Sequence, residues 1–200
     1  MRRTAPITAL CAVAAFATGC STTPASHFYT LTRSGTPAAA PVSSSANVSV
    51  VVGPVSIPAI VDLPQIVVST GPNQVSIDEF NRWASPLQNN ISRVVAENLV
   101  TMLGTPRVSQ FQQALNADAD YRVAIEIQSF ESAPGEAATL NAVWTGRRTR
   151  DGRKETGRTT VREPATEKSY EALVAAHSRA LARMSQGVAD TIRALDRGAP

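Results

Sequence analysis

The apolar pattern changes period several times along the chain. Residues 27–32 (HFYTLT) and 48–58 (VSVVVGPVSIP) are rich in aromatic and β-branched side chains, so both read as strands. The second is interrupted at Gly53-Pro54, which predicts a break there. Runs at 64–70 and 74–80 flank Gly71-Pro72-Asn73 and predict two strands joined by a turn. The spacing then becomes helical. Leu87, Ile91, Val94, Val95, Leu99, Met102 and Leu103 recur three and four residues apart, until Gly104 and Pro106 close the run. Ser85, Pro86 and Gln88 have the order of an N-cap, first-turn proline and N3 partner, so a capped helix is expected over 86–103.

A short strand near 107–109 and a weak helix over 110–117 are expected next. In 120–130, Tyr121, Val123, Ile125 and Ile127 alternate onto one face of a strand. Segments 138–150 and 153–163 flank Asp151-Gly152, a hairpin turn signal. The last element is a helix over 167–195, with Tyr170, Leu173, Val174, His177, Leu181, Met184, Val188, Ile192 and Leu195 on one stripe. The Pro-, Ala- and Ser-rich stretch 33–47 reads as a loop. This order predicts a single domain of α/β or α+β class, a mixed β-sheet with helices packed on it as a layered sandwich.

The N-terminal segment has the organisation of an export address. Arg2 and Arg3 precede an apolar run from Ile7 to Phe16, and Ala17, Thr18 and Gly19 are small. That run is far short of the roughly 20 residues needed to span a bilayer as a helix. Ala17-Thr18-Gly19-Cys20 resembles the bacterial lipobox, whose cysteine thiol takes a diacylglycerol before cleavage; a plain secretory leader with an incidental cysteine is the alternative. The expected organisation is a lipoprotein signal peptide at 1–19, anchor and tether at 20–26, the folded domain at 27–195 and a tail at 196–200. Ser21 follows the cysteine, and on the lipobox reading this favours the outer membrane, facing the periplasm, over inner-membrane retention.

The two cysteines are Cys11 and Cys20, so the domain itself can have no disulfide, thiolate metal site or cysteine nucleophile. Without Arg2 and Arg3 the balance is 17 basic to 16 acidic residues, which is not the sustained excess of a nucleic-acid binder. Histidine is equally scarce, with His27 at the tether edge and His177 on the apolar stripe of the last helix. Asp78-Glu79 and Asp118/Asp120 are the carboxylate pairs available for acid–base work, and turn or strand-end roles suit them better. No zinc-binding or phosphate-cradling spacing occurs, so no metal or cofactor is expected beyond the covalent acyl lipid on Cys20, and no enzyme.

Charge is nonetheless concentrated. Residues 146–158 carry Arg147, Arg148, Arg150, Arg153, Lys154 and Arg158 against two acids. This is either a solvated hairpin tip or a contact for anionic lipid or an acidic partner. Trp83 and Trp144 lie in patterned segments and are expected in the core.

FYTL at 28–31, VGPVSIPAIVDLPQIV at 52–67, RWASPL at 82–87, VAENL at 95–99 and DYRVAIEIQSFE at 120–131 occur in series. Together they resemble the ABC-type transport auxiliary lipoprotein family across about 27–195. The resemblance implies a non-catalytic, outer-membrane-anchored component of a system that moves lipids or hydrophobic solutes between membranes. Its implied partners are a periplasmic MCE-domain protein and an inner-membrane transport component, with a homo-oligomer as an option. An anchored protein that itself holds a phospholipid is the alternative role.

Overall fold

The structure is a computed structural model and describes residues 24–34, 48–111 and 118–197. The signal peptide, Cys20, most of the 33–47 loop and residues 112–117 of the helix expected over 110–117 lie outside the described residues, while Gln110 ends a strand instead of starting that helix.

Both main helices form where the apolar period is 3.6. The first, α1 (Leu87–Leu103), buries Leu87, Ile91, Val94, Val95 and Leu99, and ends at Gly104 in the left-handed conformation (φ 67°). The Gly104 N–H closes the last turn on the Val100 carbonyl at 3.1 Å. Its start differs from expectation. Pro86, not Ser85, is the boundary residue, with an extended backbone (φ −48°, ψ 130°) and no side-chain cap. The Gln88 amide donates to the Val55 carbonyl on a neighbouring strand instead of turning back on the helix. The second helix, α2 (Tyr170–Arg197), begins three residues later than expected. There Ser169 Oγ accepts the Ala172 N–H at 3.2 Å, which satisfies an otherwise orphan donor.

The strands form two sheets rather than the single sheet expected. The small one has the order β1 (His27–Tyr29), β4 (Gln74–Trp83), β3 (Gln65–Gly71), with β1 parallel and β3 antiparallel to β4. The large one comprises β2 (Val50–Ser56), β5 (Val108–Gln110), β6 (Tyr121–Ala133), β7 (Ala137–Arg148) and β8 (Lys154–Pro164), in the order β5-β2-β6-β7-β8. Its β5, β2 and β6 are mutually parallel, and the two hairpins that follow are antiparallel. The class is therefore α+β.

Both helices cover one face of the large sheet, α1 over β2 and β5, α2 over β7 and β8, and they pack on each other. Ile91, Leu99, Val123, Leu140, Leu181 and Met184 meet in that layer, and Trp83 and Trp144 are buried as expected. In β6 the alternation of Tyr121, Val123, Ile125 and Ile127 slips at a bulge between Ile127 and Ser129, after which Phe130 and Ser132 point inward. The β2 break expected at Gly53-Pro54 is present as a register shift between Val52 and Val55.

Candidate functional site

The molecule has two ends, measured out by α2. From Tyr170 to Leu195 that helix rises about 38 Å.

At the Tyr170 end the first strand and the residues after it join the fold. The β1 strand is only three residues long, yet the chain around it is bound on several sides. Tyr29 lies with its ring centroid 5.9 Å from that of Tyr170 and donates to Asn81 Oδ1 at 2.9 Å. Leu31 is fully buried, and its carbonyl accepts from Arg93 of α1 at 2.6 Å. The Thr32 N–H donates to Ser178 Oγ of α2 at 3.1 Å. Asp78 organises the adjoining stretch of β4: its Oδ1 accepts the N–H groups of Phe80 and Asn81, and its Oδ2 accepts the Tyr170 hydroxyl at 2.8 Å. Burial works against the Asp78 charge, but the bonds from Tyr170, Phe80 and Asn81 prevail and lower its pKa. Burial and the Asp78 carboxylate together raise that of Tyr170. Asp78 is thus a turn organiser, and the neighbouring Glu79 accepts from the Gln65 amide at 3.2 Å. His27 is exposed on β1.

A cleft of about 220 Å³ opens at the same end. The short 3₁₀ turn Ala59–Val61 and the β3–β4 hairpin line it on one side, with Pro58, Ile60, Val67 and Val75, and the bulged end of β6 on the other. Ser132 borders this cleft and hydrogen-bonds His177 at 2.8 Å. The His177 ring stacks on Phe130 at a centroid distance of 3.8 Å. This pair is no nucleophile and base. Among the described residues no carboxylate orients the imidazole and its Nδ1 meets no partner, and burial lowers its pKa to about 3. A base that weak cannot take a serine proton at neutral pH. Among the described residues there is also no cluster of His, Cys, Asp or Glu able to hold a metal ion.

At the Leu195 end stands the β7–β8 hairpin with the basic segment. Arg147, Arg150, Arg153, Lys154 and Arg158 are exposed there. Arg148 is not. It is 2% exposed, its Nη1 donates to the Leu195 carbonyl at 2.7 Å, and its Nε donates to both carboxylate oxygens of Asp151 at 3.1 Å. The hydrogen bonds from Arg148 hold the Asp151 carboxyl down at about 2. A cation on the last turn of α2 also complements the negative end of the helix. The signal for this was in the sequence, since Trp144, Gly146 and Arg148 share one parity of β7 and Trp144 faces the core. The structure adds a residue that sequence reading missed: Arg122 of β6 pairs across to Arg147, which pairs to Lys154, so three cations form one row across the outer face of the large sheet. Asp120 is not part of a catalytic pair. It accepts the Ser49 N–H and hydroxyl, each at 2.7 Å, and clamps β6 to the start of β2, whereas Asp118 is exposed.

Residues 29–189 match the family described as ABC-type transport auxiliary lipoprotein component. The chain belongs to that family. This auxiliary-component fold recurs in the crystal structure of a Xanthomonas campestris protein, at 22% identity and TM-score 0.70 over 86% of this chain and 98% of that one. It recurs also in that of an uncharacterized protein, at 20% identity and TM-score 0.68 over 84% and 99%. At these identities the likeness establishes the fold. A PelC dodecamer from Paraburkholderia phytofirmans is more distant, at 13% identity and TM-score 0.39 over 72% and 89%, below what marks a shared fold. No curated protein matches the chain. As an auxiliary transport lipoprotein the chain works at the cell envelope, and an accessory role of this kind suggests a protein without catalysis. No helix of the described residues is long and apolar enough to cross a membrane.

Proposed function

We propose that the protein is a non-catalytic docking component of an intermembrane lipid or hydrophobic-solute transport system, held at the outer membrane by acyl chains on Cys20 and facing the periplasm. Its partners in this reading are a periplasmic MCE-domain protein and an inner-membrane transport component. The observation that carries it is the short, firmly seated tether. His27 is the seventh residue after Cys20, a reach of at most about 25 Å even when fully extended. The chain then locks at once onto both helices through Leu31 and Thr32. Such a domain stays at one membrane and presents its far end to whatever crosses the periplasm. The row Arg122, Arg147 and Lys154, with Arg150, Arg153 and Arg158, lies at that far end, which suits an acidic protein surface better than head groups of the anchoring leaflet.

The alternative, an anchored lipid carrier, is less well supported. The 220 Å³ apolar cleft is smaller than the roughly 300–1,000 Å³ sites that enclose a drug-sized ligand, and a larger depression of about 390 Å³ at the Leu195 end is lined by Asp118, Asp120, Arg148, Arg150 and Asp196, charges unsuited to acyl chains.

Envelope fractionation and affinity purification of the wild type and Cys20→Ala test the proposal. The wild type is expected in the outer membrane with an MCE-domain protein co-purifying, and Cys20→Ala in the soluble periplasmic fraction. Membrane retention of Cys20→Ala, or co-purification of phospholipid without a protein partner, would overturn it.

A further inference from the structure

Six large apolar side chains stand exposed among the described residues, and five of them gather at the tether end: Phe28 (64% exposed), Ile60 (54%), Val75 (48%), Ile77 (45%) and Phe80 (38%). The register explains their grouping. Phe28 pairs with Arg82, and Arg82 with Gln65; Val67 pairs with Ile77, and Ser69 with Val75. Gln65, Val67 and Ser69 alternate onto one face of β3, so Phe28, Ile77 and Val75 share that face, while Ile66 and Val68 are buried on the other. Ile60 lines the same side of the cleft as Val75 and extends the surface along it. An exposed sheet face ordinarily alternates toward polar side chains, and a gathered apolar one marks a contact.

The position of the tether identifies what makes the contact. Phe28 is the eighth residue after Cys20, so it cannot lie more than about 28 Å from the acylated atom. The leaflet that takes the acyl chains is therefore always within reach of this face, and no protein partner is under that obligation. The charges here are mixed, Arg82 on the face itself between Phe28 and Gln65 and Glu131 at the cleft, so attraction to anionic lipid is not what would hold the face down. Resting on the acylation of Cys20 proposed above, we infer that the outer face of the three-stranded sheet, with Phe28, Val75, Ile77 and Ile60, seats in the interfacial layer of the leaflet that anchors the chain. Seating fixes which end points outward, and the basic hairpin then projects away from the membrane.

The full-length lipidated protein, reconstituted in phosphatidylethanolamine–phosphatidylglycerol vesicles, provides the test. Phe28→Trp and Ile77→Trp are compared with Thr156→Trp, an exposed control on the large sheet, using lipids brominated along their acyl chains as quenchers. The native Trp83 and Trp144 are buried and supply a constant background. Several-fold stronger quenching at 28 and 77 than at 156, unchanged in high salt, is the expected result, with unaltered thermal melting showing that the variants fold. Equal quenching at all three positions, while Cys20 keeps the protein on the vesicles, would overturn the seating and leave the anchor standing. Cross-linking of Ile77→Cys between two copies would overturn it in favour of a self-association face. An unmodified Cys20 in intact-mass analysis would overturn seating and anchor together.

Discussion

Arg148 Nη1 lies 2.7 Å from the carbonyl of Leu195, so the tip of the basic hairpin is bolted to the last turn of α2. Two neighbours in sequence therefore do different work: Arg147 offers its charge to the outside and Arg148 spends its charge holding the tip in place.

Replacing Arg148 by Met, which keeps the stem and removes the donors, should loosen both sides of that bolt. Amide hydrogen exchange is expected to quicken across 148–153 and over the last turn of α2, while Arg147→Met leaves both unchanged. Equal protection in the two variants would show that the contact does not organise the tip.

The double reversal Arg147→Glu with Lys154→Glu should spare the fold, because both side chains are exposed. Association with the partner proposed above is expected to slow by roughly tenfold and to lose much of its salt dependence, as for other charge-steered encounters. Surface-based kinetics at two salt concentrations measure this. Unaltered rates would leave the hairpin as a solvated tip.

His177 makes stability pH-dependent. Burial lowers its pKa from 6.5 to about 3, so below pH 6.5 the unfolded chain takes a proton that the folded one refuses. Its contribution is complete above the unfolded value and is lost as the pH falls toward the folded one. Between pH 7.5 and 5 the loss should be about 2 kcal/mol. Urea unfolding at the two pH values checks it, and His177→Leu should flatten the difference by that amount.

Gly187 sits in α2 where alanine would ordinarily stabilise by about 1 kcal/mol. A Cβ there would come within 2.8 Å of Trp144 Cζ2 and 2.9 Å of Cη2, a ring held in the core with little room to retreat. Overpacking of this kind costs about 1–3 kcal/mol, so Gly187→Ala is expected to lower stability on balance. A raised midpoint in thermal or urea unfolding would mean that the indole moves aside cheaply.

The helices, the Asp151-Gly152 hairpin and the inward face of β6 were legible because each is written in a local period. The division into two sheets was not. Nor was the interior of the small sheet, where four residues of β4 between Ile77 and Arg82 face the single Ile66, an irregularity that Asp78 braces through a contact 92 residues distant in sequence. Parallel pairing of β1 with β4, and of β2 with β5 and β6, likewise joins segments that no turn connects. The start of α1 misled for a different reason. A serine before a proline and a glutamine has the composition of a cap, but the Val55 carbonyl competes for Gln88 and Pro86 takes the boundary position. Arg148 was misplaced among the exposed cations because composition was read ahead of parity. The apolar side chains of the small sheet were visible as strand residues, but their exposure depends on which face the helices cover.

The link between Thr32 and Ser178 bears on mechanics as well as position. A protein fastened to a membrane while another pulls on it must survive tension, and three residues of edge strand would peel away under a modest tug. Here the load passes beyond β1 within a few residues, to a side chain wedged in the interior and to hydrogen bonds on both helices. On the proposed acylation of Cys20, strain applied at the anchor is thereby passed to both helices rather than borne by the three-residue edge strand.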